Sequence, residues 1–199
     1  MKIIGITGGV GSGKSRVLSY IEETFPCVIC QADHVAWELQ RPGEEGYLKI
    51  VEHFGNEILN EDQTINRPRL GQIVFSDEKE LLKLNEIMHP AVKESIKNRI
   101  AKETEQGTEL FVLEAALLIE ERYEEICDEL WYIYTREAVR RDRLKESRGY
   151  TDEKIDSMMA TQLSEEVFRA HCKVVIDNSD DFAYTCVQIQ EAIKHIGEN

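Results

Sequence analysis

A glycine-rich run near the amino terminus carries the clearest chemistry in the sequence. Gly8 and Gly13 frame the run, Lys14 and Ser15 follow it, and together they match the pattern G-x-x-x-x-G-K-[ST]. Glycine lets the backbone adopt conformations that are closed to other residues, so that amide N–H groups can approach phosphate oxygens. A lysine at this position can reach the terminal phosphates, and the serine hydroxyl can bind Mg²⁺. The run therefore predicts a nucleotide-phosphate site.

A strand and a helix must hold this loop. An apolar run over residues 2–7 precedes it, and a segment with helical spacing over residues 13–24 follows. The first amides of such a helix have no intrahelical partners, so they favour an anion. We expect the loop residues and the residue after them to bind the nucleotide: Gly8, Gly9, Gly11, Ser12, Gly13, Lys14, Ser15 and Arg16.

The composition limits the classes of function. The chain has 199 residues, 42% of them hydrophobic, and a net charge of −14. This charge disfavours nucleic acid as a partner, because such binding needs clustered Lys and Arg. No apolar run approaches the roughly 20 residues of a membrane span, and the chain enters its first strand without room for a signal peptide. We expect a cytoplasmic protein, either a monomer or a weak homo-oligomer.

The five cysteines do not suggest a metal centre. Cys27 and Cys30 form the one C-x-x-C pair, but they lie in an apolar run that is typical of a buried strand. Zinc would need a second pair at suitable spacing, which the remaining cysteines do not supply. We expect free, mostly buried thiols.

Apolar segments alternate with helical ones along the chain, which predicts an α/β protein with a parallel sheet and helices on both faces. Five strands are predicted at residues 2–7, 27–31, 109–114, 129–135 and 173–177. The last helix is predicted at about residues 180–196, and its apolar residues are spaced to face the sheet: Phe182, Val187, Ile189, Ile193 and Ile196.

A long helical stretch separates the second and third strands. Residues 34–108 greatly exceed the roughly dozen residues that a simple crossover needs, and prolines predict helix breaks at Arg41-Pro42, Arg67-Pro68 and His89-Pro90. We interpret this stretch as an inserted helical subdomain that binds the second substrate. Residues 1–33 and 109–199 would then form the nucleotide-binding core, with a lid at about 140–162.

Further motifs stand in a fixed order along the chain: Ala32-Asp33, Arg67-Pro68-Arg69-Leu70-Gly71-Gln72-Ile73-Val74-Phe75, Met88-His89-Pro90, Leu117-Leu118-Ile119-Glu120, Gln162 and Val175-Ile176-Asp177-Asn178. Together with the loop they resemble the dephospho-CoA kinase family nearly from end to end. The resemblance implies a P-loop kinase fold with ATP and Mg²⁺ as cofactors. It also implies ATP-dependent phosphorylation of the ribose 3′-hydroxyl of dephospho-CoA, the last step of coenzyme A synthesis.

The resemblance and the residue types suggest catalytic roles. Asp33 follows the second strand, where its carboxylate can take the proton of the acceptor hydroxyl, although an aspartate there can also simply cap the next helix. Arg143 and Arg148 belong to a basic segment on the lid, where guanidinium groups can neutralise the transferred phosphate. Lys14 completes the catalytic set.

Other residues are candidates for binding. Arg67 and His89 are candidates for dephospho-CoA, with a buried histidine at a helix boundary as the alternative for His89. Asn178 either contacts the nucleotide base or forms a turn. Glu114 can act near Mg²⁺ through water, beside Ser15. Trp37 and Tyr47 are expected to lie in the core instead of stacking on a base.

The chain also departs from the family pattern. Gln31 replaces an acidic residue, Met158 replaces a lid arginine, and Ala116 and Lys173 replace a proline and an aspartate. Arg140, Arg141 or Arg169 can compensate for the lid arginine. The departures leave two alternatives open: a kinase for another nucleoside or nucleotide, and a nucleotide-binding regulator that has lost catalysis.

Overall fold

The described part of the chain contains a five-stranded sheet, as the alternation of segments predicts. This computed structural model describes residues 1–196, in which the strands are β1 Lys2–Thr7, β2 Val28–Gln31, β3 Leu110–Glu114, β4 Glu129–Tyr134 and β5 Val174–Asp177. Their order in the sheet is β2-β3-β1-β4-β5, and β1 pairs in parallel with both β3 and β4. Each strand begins and ends within one residue of its predicted bounds.

Helices connect the strands. Within residues 1–196 they are α1 Lys14–Thr24, α2 Ala32–Leu39, α3 Glu45–Phe54, α4 Arg67–Ser76, α5 Glu78–Glu105, α6 Glu137–Arg148, α7 Asp152–Ala160, α8 Glu165–His171 and α9 Phe182–His195, with short 3-10 helices at Asn56–Ile58 and Tyr123–Glu125. In this part of the chain no helix combines the length and the apolar character that a membrane crossing requires.

The chain forms two compact units. The first comprises residues 1–29 together with the chain from residue 104 onward, and the second comprises residues 30–103. The division by function that the sequence suggests, with an acceptor-binding segment at 34–108, stays a prediction.

The core of the first unit explains why β1 is central. Ile4 and Ile6 of β1 are fully buried, as is Trp131 of β4. Ile189 of α9 joins the same core, as predicted, whereas Val187 is 51% exposed, so its predicted position against the sheet was wrong. Because β1 and its two neighbours run in parallel, their carboxyl ends meet at one edge of the sheet, where α/β proteins bind ligands.

The register fixes which polar side chains share that edge. Ile6 pairs with Glu114, the last residue of β3, and Thr7 pairs with Tyr132, two residues before the end of β4, so both strands end close to the glycine-rich loop. A one-residue slip would turn every side chain of β1 to the opposite face. The register therefore places Glu114 and Thr135 beside the loop.

One predicted helix break was wrong. The breaks before α3 and at the start of α4 are confirmed, but α5 continues through Pro90 for 28 residues. Proline inside a helix removes one backbone hydrogen bond and costs about 3 kcal/mol. Met88, Val92 and Ile96 of α5 are buried, and their packing offsets this cost.

Replacing this proline should stabilise the protein. Pro90 is exposed, so Pro90→Ala restores a helical N–H without disturbing the core, and we expect the free energy of unfolding to rise by about 1–3 kcal/mol. Urea unfolding followed by circular dichroism measures this change. Lys97→Ala, at an exposed site on the same helix, is the control and should shift it by less than about 0.5 kcal/mol. A loss of stability in Pro90→Ala would contradict a continuous α5.

Candidate functional site

The glycine-rich loop joins β1 to α1 and bends through left-handed backbone conformations. Gly11 has φ +77° and Gly13, at the start of α1, has φ +84°, values that favour glycine. The Lys14 ammonium turns back over the loop, donating to the Gly8 carbonyl at 2.7 Å, and it lies 4.0 Å from a carboxylate oxygen of Glu114. The loop thus forms a closed turn with a positive charge beside it.

One backbone carbonyl of the loop is held from outside by three donors. The Ser12 oxygen accepts from the Thr135 hydroxyl at 3.0 Å, the Asn178 amide at 2.8 Å and the Arg143 guanidinium at 3.4 Å. A trans peptide is planar, so the N–H of Gly13 points in the opposite direction. These three contacts therefore aim an amide donor at the other side of the loop, where an anion can accept it.

A cavity of about 530 Å³ lies beside the loop. This volume falls within the roughly 300–1,000 Å³ of ordinary ligand sites. Its walls come from the loop and from α6: Gly9, Val10, Gly11, Ser12, Gly13, Lys14, Ser15, Arg143, Leu144, Glu146, Ser147 and Arg148. The structure brings most of the predicted nucleotide residues together with both predicted lid arginines.

The residues of this site fit a nucleotide with Mg²⁺. Within residues 1–196, the buried hydroxyl oxygens of Thr7 and Ser12 have no partner in the protein. Ser15 is exposed at the start of α1, and the buried carboxylate of Glu114 stands at the end of β3. Hydroxyl and carboxylate oxygens are donors that Mg²⁺ accepts, and the ion takes its remaining ligands from phosphates and water.

The predicted arginines differ in their surroundings. Arg143 also donates to the Asn178 carbonyl at 2.8 Å, and burial, followed by the nearby charge of Arg16, lowers its pKa. Arg148 lies over the ring of Tyr150. Arg16 lies over the ring of Phe182, with 3.9 Å from its guanidinium carbon to the ring centroid. Of these three, Arg143 is the one that the loop itself holds in place.

Two suggested substitutes for the lid arginine are engaged elsewhere. Arg141 pairs with Glu137 at 2.8 Å and also with Asp152 and Asp156. Arg169 pairs with Glu165 at 2.7 Å. Neither residue lines the cavity. The third candidate, Arg140, contacts the loop.

Asn178 lies beneath the loop. Its side chain is buried, donating to Ser12 and accepting from the Thr185 hydroxyl at 3.1 Å. A Cβ on Gly13 would come within 2.4 Å of its amide nitrogen, so the two residues pack without space between them. A direct contact with the base stays a prediction.

The second unit carries the predicted acceptor residues. Asp33 is exposed in the first turn of α2, where Gln31, and not Asp33, is the N-cap residue. Arg67 begins α4, and His89 is half-buried in α5.

The expected burial of Trp37 was wrong. Tyr47 is buried and its hydroxyl donates to the Gln63 carbonyl, but Trp37 is 52% exposed. The Arg67 guanidinium lies 5.0 Å from the Trp37 ring centroid, and the His34 ring lies 5.4 Å away. Residue type alone does not reveal which side of the short helix α2 faces the solvent.

Sequence reasoning missed two residues of the site. The sequence pattern marks Thr135 only as the end of a strand, although a polar residue at the carboxyl end of a parallel strand is a usable signal. Gln162 belongs to one of the ordered motifs, but its contacts with Val10 and Arg140 depend on the tertiary structure.

Comparisons with known proteins identify the family. The family model for dephospho-CoA kinase matches residues 2–183. The chain belongs to the dephospho-CoA kinase family. A dephospho-CoA kinase from Shouchella clausii is 36% identical over 96% of this chain and 96% of its own length. One from Carboxydothermus hydrogenoformans is 36% identical over 95% of this chain and 91% of its own length.

Solved structures agree on the fold. A dephospho-CoA kinase from Campylobacter jejuni has a TM-score of 0.72 at 22% identity, covering 100% of this chain and 98% of the other. A shikimate kinase from Acinetobacter baumannii has a TM-score of 0.57 at 14% identity, covering 100% and 94%. The P-loop kinase fold is therefore confirmed.

Membership of the dephospho-CoA kinase family also fixes the activity. The chain is a transferase that uses ATP and dephospho-CoA in the final step of coenzyme A biosynthesis. The two alternatives, a kinase for another nucleotide and a regulator without catalysis, are not favoured.

The support beneath the loop can be tested with an isosteric change. Asn178→Asp keeps the shape of a buried side chain but removes its N–H donor and sets a carboxylate against the Ser12 carbonyl. We expect the free energy of unfolding to fall by about 1–3 kcal/mol, measured by urea unfolding. Asn56→Asp, at an exposed site, is the control. Equal stability of the two variants would show that the Asn178 contact does not support the loop.

Proposed function

We propose that the glycine-rich loop holds the phosphates of ATP and that Asp33 activates the acceptor. The single observation that carries this proposal is the loop geometry, in which donors outside the loop hold the Ser12 carbonyl, the Gly13 N–H faces the other way, and the loop lines a cavity together with Lys14. Gly8, Gly9, Gly11, Gly13 and Ser12 would supply backbone contacts, and Arg16 and Asn178 would lie nearby.

The proposed reaction forms one bond to phosphorus and breaks another. The ribose 3′-oxygen of dephospho-CoA forms a bond to the γ-phosphorus, and the bond from that phosphorus to the bridging oxygen of ADP breaks. The proton of the hydroxyl passes to Asp33, whose exposed carboxylate is available to accept it. Lys14, Arg143 and Arg148 would neutralise the charge that spreads over the transferred group.

Two residues of the site would hold Mg²⁺. Ser15 would ligate it directly and Glu114 through water, since Mg²⁺ commonly keeps several waters in kinase sites. When bound, the ion supplies charge neutralisation and orientation of the phosphates.

The second unit would bind the acceptor. Arg67 carries a positive charge at the start of α4, with the exposed indole of Trp37 against it. This pairing suits an adenine nucleotide, since a flat base and an anionic phosphate are the two groups to be recognised. His89 of α5 is a second candidate contact. We further propose that the enzyme works in the cytoplasm as a monomer or weak homo-oligomer without nucleic acid.

The choice of acceptor is tested by measuring ADP release with Mg-ATP. The assay compares four reactions: with dephospho-CoA, with AMP, with adenosine and without an acceptor. The mass of the product is measured by mass spectrometry. We expect ADP to form only with dephospho-CoA, together with a product of the mass of CoA. Equal turnover of AMP would leave a kinase but overturn the acceptor assignment.

The role of Asp33 is tested by Asp33→Asn, which keeps the size of the side chain but cannot take a proton. We expect kcat to fall by about 100-fold or more with ADP affinity unchanged. Lys14→Ala should instead lose both nucleotide affinity and turnover. Glu61→Gln, at an exposed acidic residue of the same unit, is the control. A near-native kcat in Asp33→Asn would exclude proton transfer by this residue.

A further inference from the structure

Two arginines one turn apart on α6 donate to carbonyls of the phosphate loop. Arg143 reaches Ser12, as described above, and the Nε of Arg140 donates to the Val10 carbonyl at 2.8 Å. Within residues 1–196, the amide N–H groups of Gly11 and Gly13 donate to no protein acceptor. Each of these N–H groups belongs to the peptide whose carbonyl an arginine holds.

The absence of a side chain at Gly9 leaves the space that the Arg140 guanidinium occupies. Gly9 is not one of the two framing glycines of the loop pattern, and its φ lies outside the left-handed region. A Cβ on Gly9 would lie 2.5 Å from one terminal nitrogen of Arg140 and 2.6 Å from its guanidinium carbon. A Cβ atom does not approach a non-bonded atom this closely in real proteins, so any side chain at this position would displace the guanidinium.

Gln162 completes a ring of contacts around Val10. Its side-chain oxygen accepts from the Val10 N–H at 3.2 Å and from Arg140 at 2.8 Å. Val10 thus has its N–H and its carbonyl bound to two side chains that are bonded to each other. A peptide segment held at both ends has little freedom to rotate.

The positive charge of Arg140 does not by itself explain why its side chain lies against the loop. Burial lowers the pKa of its guanidinium, so a position in water would cost less free energy. The neighbouring Arg141 shows the alternative, because it points at three carboxylates instead of the loop. The free-energy cost of half-burying the Arg140 guanidinium is offset by its directional hydrogen bonds.

We propose that Arg140 is a positioning residue for the phosphate loop, acting together with Gln162 through the backbone of Val10. It holds the Val10 carbonyl away from the cavity, so that the Gly11 N–H faces the phosphates, and Gly9 provides the space in which it lies. The proposal rests on the proposed nucleotide role of the loop. Nucleotide affinity then depends on residues that do not touch the nucleotide.

The test is a double-mutant cycle on ADP binding, measured by calorimetry in the presence of Mg²⁺ without acceptor. We expect Arg140→Ala and Gly9→Ala each to weaken ADP binding by about tenfold, the effect of losing one hydrogen bond to a charged group. The double variant should bind within about twofold of Arg140→Ala, because a Cβ at position 9 has nothing left to displace. At saturating ATP, kcat should change less than the Kd for ADP.

Two further variants separate geometry from charge and from folding. Arg140→Lys keeps the charge but cannot reproduce the paired donors, so it should bind ADP as weakly as Arg140→Ala. Gln162→Met removes the shared acceptor and should weaken binding in the same direction, even if Arg140→Ala does not fold. Arg141→Ala and Gly71→Ala are matched controls for a lost charge and for an added methyl group, and both should stay within about twofold.

Specific results would overturn the proposal. Unchanged ADP affinity in Arg140→Ala would do so, as would full affinity in Arg140→Lys. A Gly9→Ala penalty that persists undiminished in the double variant would mean that Gly9 makes room for the nucleotide itself. Absence of ADP binding by the unmodified protein would overturn the nucleotide role of the loop, and this proposal with it.

Discussion

Anion binding at this site depends on the orientation of a few peptide planes in one loop, and the surrounding structure holds those planes. An anion can bind between β1 and α1 only if the amide N–H groups there point the same way, and each N–H is fixed by the carbonyl of the preceding residue. Glycine supplies the left-handed conformations at Gly11 and Gly13 but does not keep them in place. Donors on neighbouring elements hold the Val10 and Ser12 carbonyls.

The sheet places those donors. Thr135 follows β4 and Asn178 follows β5, and the parallel register brings both strand ends to the edge at which β1 enters the loop. The two buried side chains reach the same Ser12 oxygen although they are distant in sequence. Core packing around Trp131 and Ile133 therefore serves the site, because it fixes the strands that carry the donors.

The basic residues of α6 differ in the groups that they contact. Arg140 and Arg143 are committed to loop carbonyls, and Arg141 to carboxylates. Arg148 lines the cavity and lies over the ring of Tyr150. Met158 stands where the family has a lid arginine. The arginines of α6 already make separate contacts of their own. Counting positive charges along the sequence does not distinguish these contacts.

The sequence alone determined the strands, the parallel sheet, the loop and the family, because buried runs, glycines and ordered motifs are local signals. It failed at Pro90, where buried neighbours offset the loss of one helical hydrogen bond, and at Trp37, whose exposure depends on how α2 packs. Only the tertiary structure decided that Arg140 and Gln162 meet at Val10. A hydrogen bond between residues far apart in the chain depends on the positions of whole elements, and these positions are set by packing.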